Sequence, residues 1–317
     1  MAVIEVRDLH KRYGDTHAVD GVSFEVREGE VYALLGANGA GKSTTVEILE
    51  GHRSATSGEV RVLGADPHEG SRAFRDRIGI VLQSSGVENE FTVREAIELY
   101  GGAYRRRRSL DEVIGLVGLE EKVDARIGSL SGGQRRRVDL ALGIVGTPEL
   151  LFLDEPTTGF DPAARRRSWD LVESLGAGGT TVLLTTHYLD EAEHLADRVG
   201  VLSRGRLIAE GTPSELINRV SGTIVSFMLP DTVEVSDAAT EFAGILGTNL
   251  RLAGRLVEAT IDRPTHAVHQ LTRWALDADV ELDSLTVKRA SLEDVYLQLA
   301  GDDADSDDAD ASMQVES

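Results

Sequence analysis

Gly36-Ala37-Asn38-Gly39-Ala40-Gly41-Lys42-Ser43-Thr44 decides the reading of this chain. It follows an apolar run, Val31-Tyr32-Ala33-Leu34-Leu35, that reads as a buried strand. It precedes Thr45-Val46-Glu47-Ile48-Leu49, which reads as the opening of a helix. Strand, G-x-x-x-x-G-K-[ST] and helix is the phosphate-binding loop in the context its chemistry requires. The glycines let the backbone wind tightly, so several N–H groups converge on one anion. The helix N-terminus adds the positive end of its dipole at the same point. Lys42 supplies a mobile charge for the outer phosphates, and Ser43 a hydroxyl for a magnesium ion. The bland alternative is a glycine-rich turn that binds nothing, and the flanking strand and helix argue against it.

Outward from this loop the chain alternates strand and helix. Residues 2–7 and 22–27 alternate apolar and polar, as half-buried strands do, with a turn expected at Tyr13-Gly14. Short strands are expected at 59–63 and 78–82, the second ending at Gln83. Residues 92–142 then read as helical. Thr92-Val93-Arg94-Glu95 has capping-box spacing, and further helices are expected at 110–117 and from Ser131 to about Val145. Alternation resumes with strands at 149–153 and 180–185, helices at 163–175 and 188–196, a hairpin around Ser203-Arg204-Gly205, and a short helix at 213–218. The pattern implies a mainly parallel α/β sheet covered by helices, with antiparallel strands at one side and a helical insertion at about 84–145. From Gly222 the order becomes strand 223–229, helix 236–246 with a serine cap, hairpin 249–261, helix 265–276, strand 281–288 and helix 291–299. That is a split β-α-β order, so a small α+β domain is expected at 222–300 after a first domain at 1–221.

Composition narrows the function. The chain of 317 residues has no cysteine, which excludes disulfides and thiolate metal sites. Its start carries no basic segment or long apolar stretch, so no signal peptide is expected. The apolar runs are too short to span a bilayer, so the chain is expected to be soluble and to reach a membrane only through a partner. The net charge of −21 argues against broad affinity for nucleic acid. Six aspartates fall within residues 302–310, and 301–317 reads as a disordered acidic tail.

The chemistry is expected at the sheet's C-terminal edge, where α/β sheets bind ligands. Leu150-Leu151-Phe152-Leu153 delivers Asp154 and Glu155 to that edge. Asp154 can hold magnesium and Glu155 can polarise an attacking water, which with anchored phosphates is most of what phosphoryl transfer needs. Thr180-Thr181-Val182-Leu183-Leu184-Thr185-Thr186 delivers His187, whose imidazole could bond a γ-phosphate or the water. Gln83 is placed in the same way, as a possible magnesium or water ligand. Leu130-Ser131-Gly132-Gly133-Gln134 is a second glycine-rich helix start; read alone, it is as well explained as an ordinary capped helix.

Together these elements resemble the ATP-binding-cassette (ABC) ATPases, over residues 2–220 and in family order. Gly36 to Thr44 is similar to their Walker A loop, Gln83 to the Q-loop residue, and Leu130 to Gln134 to the signature sequence. Leu150 to Asp154 with Glu155 is similar to Walker B and its catalytic glutamate, and His187 to the switch histidine. Tyr13 resembles the aromatic that stacks on adenine. Gly159-Phe160-Asp161-Pro162 departs from the usual D-loop but keeps its aspartate, Asp161. The resemblance implies a P-loop ABC ATPase fold with a mainly parallel sheet, an antiparallel β subdomain and a helical subdomain. It implies ATP and Mg2+ as ligands. It also implies a head-to-tail dimer, either a homodimer or a pair with a similar cassette, in which Ser131, Gly132, Gly133 and Gln134 of one subunit close over the nucleotide of the other.

The run Ala290-Ser291-Leu292-Glu293-Asp294-Val295-Tyr296-Leu297-Gln298-Leu299 is similar to the ending of drug-resistance-type ATPases. So is Thr186-His187-Tyr188-Leu189-Asp190-Glu191-Ala192-Glu193. These imply export through a separate integral membrane permease of the ABC-2 class, at the cytoplasmic face, with the coupling surface near residues 84–104. A soluble switch acting on ribosomes or nucleic acid, or an importer subunit, are the competing readings. Three arginine clusters, at 105–108, 135–137 and 165–167, are expected to be solvated helix faces.

Overall fold

The computed structural model describes the chain except residues 83–85, 220–221, 231–232, 248–249 and 298–317; the side chains of 219 and 236–239 are also outside the description. Two compact units divide after Pro213. The first opens with two long strands, β1 (Ala2–Tyr13) and β2 (Thr16–Arg27), which pair antiparallel around the turn at Gly14. β3 (Val31–Leu35) is buried along its whole length, and α1 (Lys42–Leu49) follows the phosphate-loop stretch directly. β4 (Ser57–Val62) joins β1, giving a three-stranded antiparallel sheet in the order β2-β1-β4. After the single turn α2 (Arg72–Arg75) and β5 (Ile78–Val81), the chain becomes helical: α3 (Val93–Gly101), α4 (Leu110–Val117) and α5 (Gly132–Ile144). Thr92 and Ser131 each form a reciprocal capping box with the glutamate or glutamine three residues on, so both expected helix starts are real.

β6 (Leu150–Asp154), α6 (Pro162–Ala177), β7 (Thr181–Thr186), α7 (Leu189–Leu195), β8 (Arg198–Ser203) and β9 (Arg206–Gly211) complete this unit. The six-stranded sheet runs β5-β6-β7-β3-β8-β9, parallel except for the last pair. α1 touches strands of both sheets, and its Val46, Ile48 and Leu49 join one apolar core with Ile4, Phe24, Tyr32, Phe152 and Leu183. Burying such side chains is worth about 1.5–3 kcal/mol each, which anchors α1 and the loop before it between the sheets.

α8 (Pro213–Arg219) spans the division between the units. The second unit contains β10 (Thr223–Met228), α9 (Val235–Leu246), β11 (Leu250–Ala253), β12 (Leu256–Ile261), α10 (Pro264–Asp277) and β13 (Thr286–Arg289). Its sheet, β11-β12-β10-β13, is antiparallel at every pairing, as the split β-α-β order requires. Phe242 of α9 meets Phe227 and Trp274 edge to face, at 5.2 and 4.8 Å between ring centroids.

Two local expectations are corrected. α9 begins at Val235 with Glu234 as its N-cap and no side-chain cap; Val233, buried in the core, fixes the entry of the chain ahead of the serine. The last strand begins at Thr286 rather than residue 281, because Ser284 at φ +56° breaks the extended run. The expected terminal helix is present at 292–297; the rest of it and the acidic tail lie outside the described residues.

Candidate nucleotide site

Sheet register brings the expected residues to one edge. Leu35 pairs with Thr186, Asp154 with Thr185, and Val81 with Leu153. The loop after β3, the acids after β6 and the histidine after β7 therefore leave neighbouring strands side by side. The N–H of Gly36 donates to the carbonyl of Thr186 at 3.4 Å. Gln83 itself lies outside the described residues.

Within the loop, Gly36 and Gly41 are sterically required. A Cβ on Gly36 would sit 2.4 Å from the carbonyl oxygen of Leu202, and one on Gly41 would sit 2.4 Å from that of Ala18. Gly41 is also at φ +102°, where L side chains are strained. Ala37, Asn38, Gly39 and Ser43 are exposed on the rim, while Ala40 is buried and its carbonyl accepts from the N–H of Gly205. Lys42 is buried, and its Nζ donates back to the carbonyls of Gly36 and Ala37 at 2.7 and 3.1 Å. Burial lowers its pKa, while the nearby Glu155 and Asp154 oppose that shift. The lysine and both acids thus share one electrostatic neighbourhood.

The acids are held by neighbours that sequence reasoning did not single out. Thr185 Oγ1 donates to Asp154 Oδ1 at 2.5 Å. Glu155 sits at φ +45° and donates its N–H to both the carbonyl and the hydroxyl of Thr185, at 3.2 and 3.1 Å. Its carboxylate meets Nδ1 of His187 at 3.1 Å and accepts from Thr158 Oγ1 at 3.1 Å. A histidine that donates from Nδ1 to this carboxylate keeps Nε2 for another partner. One turn beyond, buried Glu191 accepts from Thr157 Oγ1 at 2.8 Å and Trp169 Nε1 at 3.2 Å, tying the loop after Glu155 to α6. Burial raises the pKa of Glu191.

The arginine clusters are solvated only in part: Arg105, Arg106, Arg107, Arg166 and Arg167 are exposed as expected, whereas other members turn inward. Arg136 is 6% exposed and donates to the carbonyls of Leu82, Asp154, Glu155 and Pro156. Arg137 donates to the carbonyls of Val117 and Gly118, and Arg135 to that of Ile127. Arg165 lies 4.4 Å from the centroid of the Tyr188 ring and pairs with Asp190, and Arg108 donates to the carbonyl of Ile144. Carbonyls at strand and helix ends need donors, and a long guanidinium supplies several at once. Arginine repeats gave no sign of which member would turn inward.

The remaining expected residues fall on other elements. Tyr13 is 42% exposed at the tip of the β1–β2 hairpin, with Lys11 and Arg53 at 5.1 and 5.5 Å from its ring centroid. Ser131 and Gln134 pair with each other at the start of α5, in the helical block rather than at the phosphate loop. Asp161 accepts from the N–H groups of Ala163 and Ala164 and so caps α6.

Comparison with known proteins gives the same answer by a separate route. The family model described as ABC transporter matches residues 19–158, and one for the C-terminal domain of ABC transporter domain-containing proteins matches residues 223–291. A daunorubicin resistance ATP-binding protein of Streptomyces coeruleorubidus is 39% identical over 95% of this chain and 96% of its own. A Nod factor export ATP-binding protein of Burkholderia lata is 38% identical over 95% and 98%. Among solved structures, an ATP-binding subunit of an ABC transporter aligns with TM-score 0.63 at 30% identity, covering 68% of this chain and 92% of that one. A dimeric bacterial ABC transporter cassette aligns with TM-score 0.59 at 27% identity, covering 66% and 98%. The chain belongs to the ATP-binding-cassette family of transporter ATPases.

Proposed function

We propose that the chain is the ATP-hydrolysing half of a closing dimer that drives export through a separate ABC-2-type membrane permease, at the cytoplasmic face of the membrane. The observation that carries this reading is the register that sets Gly36, Asp154–Glu155 and His187 on adjacent strand ends. Tyr13 stacks on the adenine. The loop N–H groups hold the phosphates, and Lys42 exchanges its two carbonyl partners for the outer phosphates. Glu155 orients the attacking water and accepts its proton, while His187 Nε2 bonds the γ-phosphate. A magnesium ion suits the hard oxygens of the hydroxyl of Ser43 and the carboxylate of Asp154; Gln83, expected from its place in the sequence to add an amide oxygen, lies outside the described residues. Magnesium binds through one or two carboxylates and keeps waters and substrate phosphates as its other ligands. Such an ion would neutralise charge on the phosphates.

The second half of the site comes from the partner. Ser131 accepts a hydrogen bond within its capping box but keeps its own O–H to donate, and with Gly132, Gly133 and Gln134 it caps the γ-phosphate held by the other subunit. Asp161 shapes the adjacent loop. The relative named for Nod factor export supports export as the direction. Among the described residues no helix is long and apolar enough to cross a membrane. A cavity of about 300 Å³ at the end of β5, lined by Ile80, Leu82, Tyr100, Tyr104 and Leu142, suits an apolar permease segment. Leu82 and Tyr100 stand 46% and 43% exposed there.

Glu155→Gln tests the reading. It should bind ATP, accumulate as a dimer, and hydrolyse about 100-fold or more slowly, the scale of a lost general base. Turnover at the wild-type rate would remove Glu155 from its role. The same variant, expressed with ATP present, should purify with a multi-span membrane protein; sedimentation with ribosomes instead would favour the soluble switch.

A further inference from the structure

Thr185 is a hydroxyl in the middle of the catalytic edge that the assignments above leave unused. It is fully buried in β7, between β6 and β3, directly after the apolar run Val182-Leu183-Leu184. Its Oγ1 donates to Asp154 Oδ1 at 2.5 Å and accepts the Glu155 N–H at 3.1 Å. A single hydroxyl thus uses its donor on one acid and a lone pair on the backbone of the other.

The backbone it holds is not a relaxed one. Glu155 at φ +45° lies in the left-handed region, which a side chain with a Cβ disfavours. Such a conformation persists when the surroundings over-determine it. Here two acceptors on one residue, the carbonyl and hydroxyl of Thr185, receive the same N–H. The carboxylate of Asp154 is constrained from the same atom: with Oδ1 engaged, Oδ2 is the oxygen left for a metal ion.

We propose that Thr185 is a positioning residue for ATP hydrolysis, its hydroxyl fixing Asp154 and Glu155 together in their working orientation. This rests on the roles proposed for those two acids. Thr185 acts through its neighbours: it sets the rotamer of one acid and the backbone of the other. The cassette then gains a coupled pair. A shift of β7 against β6 moves the metal-side acid and the water-side acid at once.

Thr185→Val keeps the shape of the side chain and the backbone carbonyl bond but deletes the hydroxyl. Thr185→Ser keeps the hydroxyl and deletes the methyl. Expected for the valine variant is a fall of about tenfold in kcat, with KM for ATP within about twofold and an apparent magnesium requirement raised severalfold. The serine variant should return to within about threefold of wild type. A second readout avoids turnover: binding of a fluorescent ATP analogue, with and without magnesium, should lose part of its magnesium enhancement in the valine variant alone. Circular dichroism and thermal unfolding check that both variants fold. Wild-type kcat and magnesium response in Thr185→Val would overturn the proposal, as would equal losses in the two variants. Glu155→Gln is run in parallel: if it hydrolyses normally, the assignment of the acids fails, whereas an inactive Glu155→Gln beside a fully active Thr185→Val refutes only the role of Thr185.

Discussion

Replacing Glu50 by glutamine should stabilise the first unit, and by an amount that grows with pH. Glu50 ends α1, and its side chain is 2% exposed. Oε2 lies 3.2 Å from Nδ1 of His52, and Oε1 is buried without a hydrogen-bond partner. Burial, then the charges of Asp154 and Glu47, push its pKa from 4.5 up to about 8. The helix C-terminus, with its partial negative charge, acts in the same direction. An acid whose pKa is higher folded than unfolded binds more protons in the folded state, so stability falls as pH rises through the window between the two values. The cost of the carboxyl is about 1 kcal/mol at pH 5.5 and about 4 kcal/mol at pH 8. Glutamine has the same shape and does not titrate. The assay is urea unfolding of wild type and Glu50→Gln from pH 5.5 to 8. Other titrating groups cancel in the difference, which should widen by about 3 kcal/mol. Parallel stability curves across that range would refute the reasoning, since they would mean that the carboxyl ionises as freely folded as unfolded.

Two further substitutions address the site and its frame. Lys42→Ala removes the only charge inside the phosphate loop and should weaken ATP binding by about 100-fold or more, read by equilibrium binding of a fluorescent nucleotide; unchanged affinity would contradict the loop's role. Asp161→Ala deletes the cap that serves the N–H groups of Ala163 and Ala164, and should cost about 1 kcal/mol in urea unfolding of the nucleotide-free protein.

The nucleotide edge was legible because its signals are local. The loop is contiguous, its strand and helix flank it, and the acids follow four apolar residues. The capping boxes at Thr92 and Ser131 are short-range too, and both form as their spacing requires. What escaped was set by long-range contact. β1 and β2 are each 12 residues long, yet alternation suggested six, because irregular pairing around residues 8–12 shifts the side chains from face to face. Asp8, at φ +48°, stands where the close approach of Gly58 bends the strand. Thr185 looked like one more threonine in a strand, since its two partners lie about thirty residues upstream. The buried member of Arg135, Arg136 and Arg137 is chosen by which carbonyls need donors, and no local pattern encodes that.

Arg136 shows why a helix start and a strand end far apart in sequence belong to one machine. It sits two residues after Gln134, on the helix that the capping box opens. Its guanidinium takes the carbonyls of Leu82, Asp154, Glu155 and Pro156 in a buried place. A hydrogen bond to a charged group contributes roughly 1.5–3 kcal/mol, so four on one side chain make an expensive joint to break. Burial lowers the pKa of Arg136, opposed first by Asp139 one turn along the helix and then by Asp154, Glu191 and Glu155. Three segments therefore meet on one cation: the helix beginning at Ser131, the strand end preceding Gln83, and the turn that carries the proposed catalytic acid. If Ser131 and its neighbours engage the partner's nucleotide while the surface at Leu82 and Tyr100 engages a permease, a movement of α5 must either rupture this joint or carry Glu155 with it. The second course is the less costly, and it gives a physical route by which docking at two distant surfaces could decide whether hydrolysis proceeds.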